Sequence, residues 1–126
     1  MVSRVLCLAI LVCAAPALAQ ENVRVPVEQA GRTVQLTAQL FRPSDLAGAH
    51  PAVAIFHGCG GVGANNTRMA ELLKSWGYVA LVVDSFTSRG LKEVCTQTYA
   101  ERNVRPRDRV GDAYAALAYL RALPER

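Results

Sequence analysis

Residues 55–66 read IFHGCGGVGANN. The apolar run Ala52 to Phe56 leads into His57, and four glycines then fall within positions 58 to 63. A loop with so little side chain lets backbone amides approach another molecule and turn without a Cβ clash. Two chemistries use such a loop. One cradles the pyrophosphate of a dinucleotide, and the other holds the oxyanion formed when an ester carbonyl is attacked.

The flanking segments frame the loop. Ala52 to Phe56 is apolar without alternation, as in a parallel strand covered on both faces. Upstream, 22–28 and 33–41 are predicted strands. In the second, Val34, Leu36, Ala38 and Leu40 alternate with Thr33, Gln35, Thr37 and Gln39. The turn from Gln29 to Arg32 contains Gly31, so the pair is expected to form a hairpin. Arg42 to Pro51 is a polar loop. Downstream, Asn65, Asn66 and Thr67 offer N-cap chemistry, and Met69, Leu72, Leu73 and Trp76 follow at helical spacing up to the stop at Gly77. Tyr78 to Val83 is a second continuous apolar strand, and Asp84 to Arg105 a long polar connection. Pro106 opens a last helix, with Val110, Ala113, Tyr114, Leu117 and Leu120 as its expected buried stripe and Pro124 as its end. Hairpin, β, α, β, α is the order of an α/β fold with an antiparallel start.

Residues 1–19 are expected to form a signal peptide. Arg4 supplies the positive n-region, Val5 to Ala15 the apolar core, and Ala17-Leu18-Ala19 the cleavage site. The apolar run is too short to span a bilayer comfortably. An exported domain of residues 20–126, periplasmic or secreted and with no membrane partner after cleavage, is the expectation. The formal charge of +4 falls by one with Arg4, which is too weakly basic for a nucleic-acid binder. Arg102, Arg105, Arg107 and Arg109 cluster, but Glu101, Asp108 and Asp112 interleave with them and no aromatic platform alternates. A solvated loop and helix start is expected there. Cys7 and Cys13 leave with the signal. Cys59 and Cys95 remain as an even pair in an oxidising compartment, which points to a disulfide, with two free thiols as the alternative. Zinc would need His50 or His57 to join them, and the spacing fits no structural zinc pattern. No metal or cofactor is expected.

Gly58-Cys59-Gly60-Gly61-Val62-Gly63 matches G-x-G-x-x-G, and Asp84 closes the next strand where a ribose-binding acid would lie. Four features weigh against a dinucleotide. The helix cap is expected at Asn65-Asn66, past the last glycine. His57 stands where an apolar strand end belongs. A hairpin precedes a strand that normally opens such a domain. An exported protein also rarely meets a soluble nicotinamide. His57-Gly58-Cys59-Gly60-Gly61 instead suits an oxyanion loop of the H-G-x-G type, which follows the third strand of an α/β-hydrolase.

From about Arg24 to Arg126 the sequence resembles the start of an exported α/β-hydrolase of the dienelactone hydrolase family. The resemblance rests on AVAIFHGCGG (52–61), AELLKSWGYVALVVDSF (70–86), SRG (88–90) and RDRVGDAYAALAYLRALP (107–124). It implies the N-terminal portion of the α/β-hydrolase fold, with strand order 1-2-4-3 continuing into strands this chain lacks. It also implies a small ester or lactone substrate and an oxyanion donor at the N–H of Cys59. Gly60 would shape the turn, and His57, Gly58 and Gly61 the rest of the loop. The nucleophile elbow is missing. None of Ser44, Ser75, Ser85 and Ser88 has glycine both two before and two after, and Cys59 has His57 rather than glycine at −2. No triad member is therefore assigned. His57 is expected to orient the loop or simply pack, Asp84 to anchor the following loop, and Arg89 to anchor a loop rather than shape a substrate entrance. An incomplete hydrolase domain, inactive alone, is the expectation. The alternative is a non-catalytic secreted domain that kept the loop and lost the triad.

Overall fold

A computed structural model describes residues 20–125. The signal-peptide expectation for 1–19 lies outside the described residues. Strands β1 (Glu21–Gln29) and β2 (Arg32–Phe41) form the expected hairpin, pairing antiparallel from Glu21↔Leu40 to Gln29↔Arg32. Its two-residue turn is Ala30-Gly31, at φ 50° and 76°. Left-handed backbone at both positions gives the twist that a tight hairpin needs, and glycine carries its share without strain.

Strand β3 (Ala52–Phe56), helix α1 (Ala64–Ser75), strand β4 (Val79–Asp84) and helix α2 (Pro106–Arg121) follow. β4 pairs parallel with β3 and antiparallel with β2, giving the order β1-β2-β4-β3. This is a mixed α/β sheet with a helix on each face, the α/β-hydrolase start expected. A dinucleotide domain would continue parallel beyond β4, where this chain has the antiparallel hairpin.

The period-2 pattern of β2 sorts the two cores. Leu36, Ala38 and Leu40 join Val25, Val27, Leu81, Val83, Ala116 and Leu120 on the α2 side. Phe41 joins Ala80, Val82 and Ala70 on the α1 side. β4 is buried on both faces, from Val79 through Val83. β3 takes the open edge that the strand order 1-2-4-3 implies, although its apolar composition suits a strand covered on both faces. Its residues are half-buried or exposed, because it is the last strand in the order and has a neighbour on one side only. Apolar composition fixes which strand wants to be central, but its covering comes from other segments.

Both helices differ in detail from the sequence expectation. α1 begins at Ala64 with Gly63 as N-cap, earlier than the cap expected at Asn65-Asn66. Asn66 acts from inside the first turn, its Oδ1 accepting from the Gly63 N–H at 3.0 Å. The helix therefore starts directly after the last glycine, and its start does not separate the two loop chemistries. Met69, Leu72 and Trp76 are exposed. In α2, Asp112, Ala116 and Leu120 are buried, while Val110, Tyr114 and Leu117 of the expected stripe are exposed. The helix is apolar on both faces, so periodicity could not choose between them. The face against the sheet contains Asp112, whose charge hid it from a hydrophobic pattern. Tyr119 and Leu123 pack beside it.

The connection 85–105 is not merely polar. Phe86, Val94 and Val104 form a small third core, with Leu91 beside it. Thr87–Arg89 makes a 3₁₀ turn closed by Gly90 at φ 74°. No helix among the described residues is long and apolar enough to cross a membrane.

Candidate functional site

β3 delivers His57 to the C-terminal edge of the sheet, and the glycine loop starts there. Three successive carbonyls of this loop have donors. His57 O accepts from Arg109 Nη2 at 2.6 Å. Gly58 O accepts from His57 Nδ1 at 2.7 Å, and Cys59 O from the Val94 N–H at 2.8 Å. No cis peptide occurs among the described residues. In a trans peptide the carbonyl and the N–H point in opposite directions. Holding Gly58 O thus turns the Cys59 N–H the other way, and holding Cys59 O does the same for Gly60. Neither N–H meets an acceptor among the described residues.

The segment after β4 braces the loop from outside. Cys59 and Cys95 form a disulfide with Cα atoms 4.9 Å apart. Gly61 sits at φ 81°, and a Cβ there would lie 2.6 Å from Lys92 O. Both the backbone conformation and the space therefore demand glycine at 61. The motif thus contains a bridge and a close backbone contact that lock it to residues 92–95.

His57 is 3% exposed. Its Nδ1 faces a carbonyl, which only accepts, and its Nε2 faces the Ser85 N–H at 3.0 Å, which only donates. The neutral ring therefore carries its proton on Nδ1. Asp84 Oδ1 lies 3.8 Å from Nε2, but that nitrogen already accepts from Ser85. Ser85, His57 and Asp84 come together here, but not in the hydrogen-bond order of a catalytic triad. Ser85 Oγ is buried without a partner, and its amide rather than its hydroxyl meets the histidine.

Asp84 organises the start of the next segment. Its carboxylate accepts from Phe86 N–H at 2.8 Å, Thr87 N–H at 3.0 Å and Thr87 Oγ1 at 2.5 Å. Burial alone would raise its pKa, but these bonds from Thr87 and Phe86 outweigh burial and hold it below the usual carboxylate range. Arg89 binds Asp112 through two bonds, of 2.7 and 3.0 Å, and also Ser85 O and Gln29 Oε1. These four bonds make it an anchor for the loop after β4. Two other serines are engaged in backbone bonds. Ser75 Oγ donates to Leu72 O within α1, and Ser88 Oγ accepts from the Thr37 N–H.

Arg109 differs from its sequence reading as part of a solvated arginine cluster. Burial lowers its pKa; Asp112 opposes this and the charge of Arg89 adds to it. Its guanidinium lies 5.6 Å from the centroid of the Phe86 ring, which in turn meets the His57 ring edge-on at 4.5 Å. Sequence reasoning missed both Arg109 and Phe86, because nothing local distinguishes them from surface arginines and loop aromatics. A cavity of about 700 Å³ opens beside these groups. Cys59, His57, Phe86 and Arg109 line one part, and Tyr114 and Leu117 of the exposed α2 face another. Cys59, whose N–H has no acceptor among the described residues, thus borders a largely apolar space, and a free backbone donor at such a border suits a developing negative charge. No group of three metal-binding side chains occurs among the described residues.

A family model described as "Dienelactone hydrolase family" matches residues 36–126. A solved structure named m3DLH is similar, with TM-score 0.58 and 25% identity over 85% of this chain and 45% of that one. A crystal structure of a Klebsiella pneumoniae subsp. pneumoniae protein, assigned as a dienelactone hydrolase, shares the fold. Its TM-score is 0.55 and its identity 16%, over 82% of this chain and 45% of that one. The chain thus spans less than half the length of these two proteins. No curated protein matches significantly.

Proposed function

This chain belongs to the dienelactone hydrolase family, and on that premise we propose that it supplies the oxyanion loop of a hydrolase cleaving a small ester or lactone. The observation that carries the proposal is the pattern at the start of the loop. The carbonyls of His57, Gly58 and Cys59 are engaged, whereas the N–H groups of Cys59 and Gly60 keep no acceptor among the described residues. Cys59 is the principal donor, Gly60 gives the turn, and His57, Gly58 and Gly61 shape the loop. The nucleophile, acid and base belong to the part of the family fold that this chain does not span, so residues 20–126 alone are inactive. The protein is exported with its mature N-terminus at Gln20, which mass spectrometry of the secreted product reads directly.

Hydrolysis of p-nitrophenyl acetate and of simple lactones by the intact natural gene product is the test. Cys59→Ser and Cys59→Pro both remove the disulfide, but only proline removes the N–H. Proline should lower kcat about 10²–10³-fold below serine, the effect of losing one oxyanion donor. Equal activity in the two variants would remove Cys59 from the oxyanion site. An intact gene product with no hydrolysis of any ester or lactone would favour the non-catalytic secreted domain.

A further inference from the structure

We propose that Arg109 is a positioning residue for the oxyanion loop, acting through the carbonyl of His57. Its kinetic readout rests on the function proposed above, while its structural readout does not.

Arg109 reaches the loop from α2, 52 residues away in sequence, and donates to His57 O at 2.6 Å. A charged donor makes such a bond about twice as strong as a neutral one. The peptide it holds leads into the next one, whose carbonyl is held by His57 Nδ1. That second peptide carries the Cys59 N–H. Arg109 thus fixes the backbone of the residue whose ring aims the donor. Phe86 completes the clamp, with the guanidinium above its ring and the His57 ring at its edge.

A purely stabilising role would look different. A half-buried cation is costly unless paired, yet Arg109 forms no ion pair among the described residues. Asp112, the nearby carboxylate, is committed to Arg89. Arg109 Nε is buried without an acceptor. The contact this cation makes is the one that aims the loop.

The intact gene product with Arg109→Gln and Arg109→Lys tests the proposal. Arg109→Gln should lower kcat about 10- to 100-fold with KM within about twofold, as expected for a misplaced catalytic group. Arg109→Lys, which keeps a charged donor, should recover most of that loss. Unchanged kcat per folded molecule, with only a lower Tm, would overturn the proposal. Should Arg109→Gln fail to fold, the lysine variant decides by its kcat, because full loss despite native stability would also overturn it. Should the parent protein hydrolyse nothing, the function reading fails and amide NMR decides the positioning claim separately. The Cys59 and Gly60 amides should then shift in Arg109→Gln while those of Val25 and Leu36 stay in place. Unmoved loop amides would overturn the claim.

Discussion

Asp84 shows how one side chain can link a strand end, a turn and the site behind it. Its carboxylate accepts three bonds from Phe86 and Thr87, and Phe86 is the ring against which His57 and Arg109 lie. Because its folded pKa is lowered, the ionised form stabilises the fold. That contribution is complete above the unfolded value, about 3.9, and is lost as pH falls through the folded one. Asp84→Asn should therefore be less stable than the parent at pH 7, with the gap narrowing toward pH 3. Urea midpoints at the two pH values measure this, and a constant gap would show that ionisation of Asp84 plays no part. The residue was legible in the sequence as an anchor, because it ends a strand and lies too early in the chain for a triad acid, which follows its nucleophile. Arg109 was not, because its partner is a carbonyl 52 positions away.

Two ties hold the 85–105 connection against the regular elements. The first is the pair Arg89–Asp112, with side chains 8% and 0% exposed. It fastens the 3₁₀ turn to α2 at the one charged position on the buried helix face. Breaking it in Asp112→Ala leaves a buried guanidinium without its counter-charge, and should cost about 3–5 kcal/mol in chemical denaturation. A loss under about 1 kcal/mol would mean that water replaces the carboxylate. The second tie is the disulfide, closing a sequence separation of 36 residues. A loop of that size contributes about 3–4 kcal/mol in the chain-entropy description. The oxidised, denatured protein should label no thiol from Cys59 or Cys95, and reduction should lower Tm by several degrees. Two labelled cysteines would remove the bridge. Composition already pointed to this pairing, since only two cysteines stay once the expected signal peptide is set aside, and they leave one intramolecular choice.

Across the molecule, the incompletely covered apolar surface lies on one side. β3 ends the sheet half-covered, and Val110, Tyr114 and Leu117 of α2 stand exposed next to it. An apolar strand with a free edge is a template for association, and an exposed stripe of large apolar side chains adds to that tendency. Residues 20–126 expressed by themselves should therefore be poorly soluble and should not hydrolyse p-nitrophenyl acetate, whereas the intact gene product should be soluble. Light scattering and sedimentation measure the first outcome. A monodisperse, cooperatively unfolding monomer of residues 20–126 would show that this face needs no partner.

The sequence by itself determined the order of elements, the hairpin, the parallel pair and the glycine loop that follows β3. Each is written in short-range chemistry: period-2 alternation in β2, unbroken apolar runs in β3 and β4, Gly31 in a tight turn, and glycines around Cys59. Family resemblance added the meaning of the loop, again from contiguous residues. Tertiary structure alone decided which face of α2 is buried, because a helix apolar on two sides has two equivalent stripes until a sheet is placed against one. It alone decided that Asp112 belongs inside, since a charge is buried only where a distant Arg89 meets it. It also fixed how His57, Asp84 and Ser85 meet, because hydrogen-bond direction depends on which atoms face each other and not on residue type. The aim of the Cys59 N–H has the same origin: it follows from carbonyls held by Arg109, His57 and Val94, two of them donors from outside the loop.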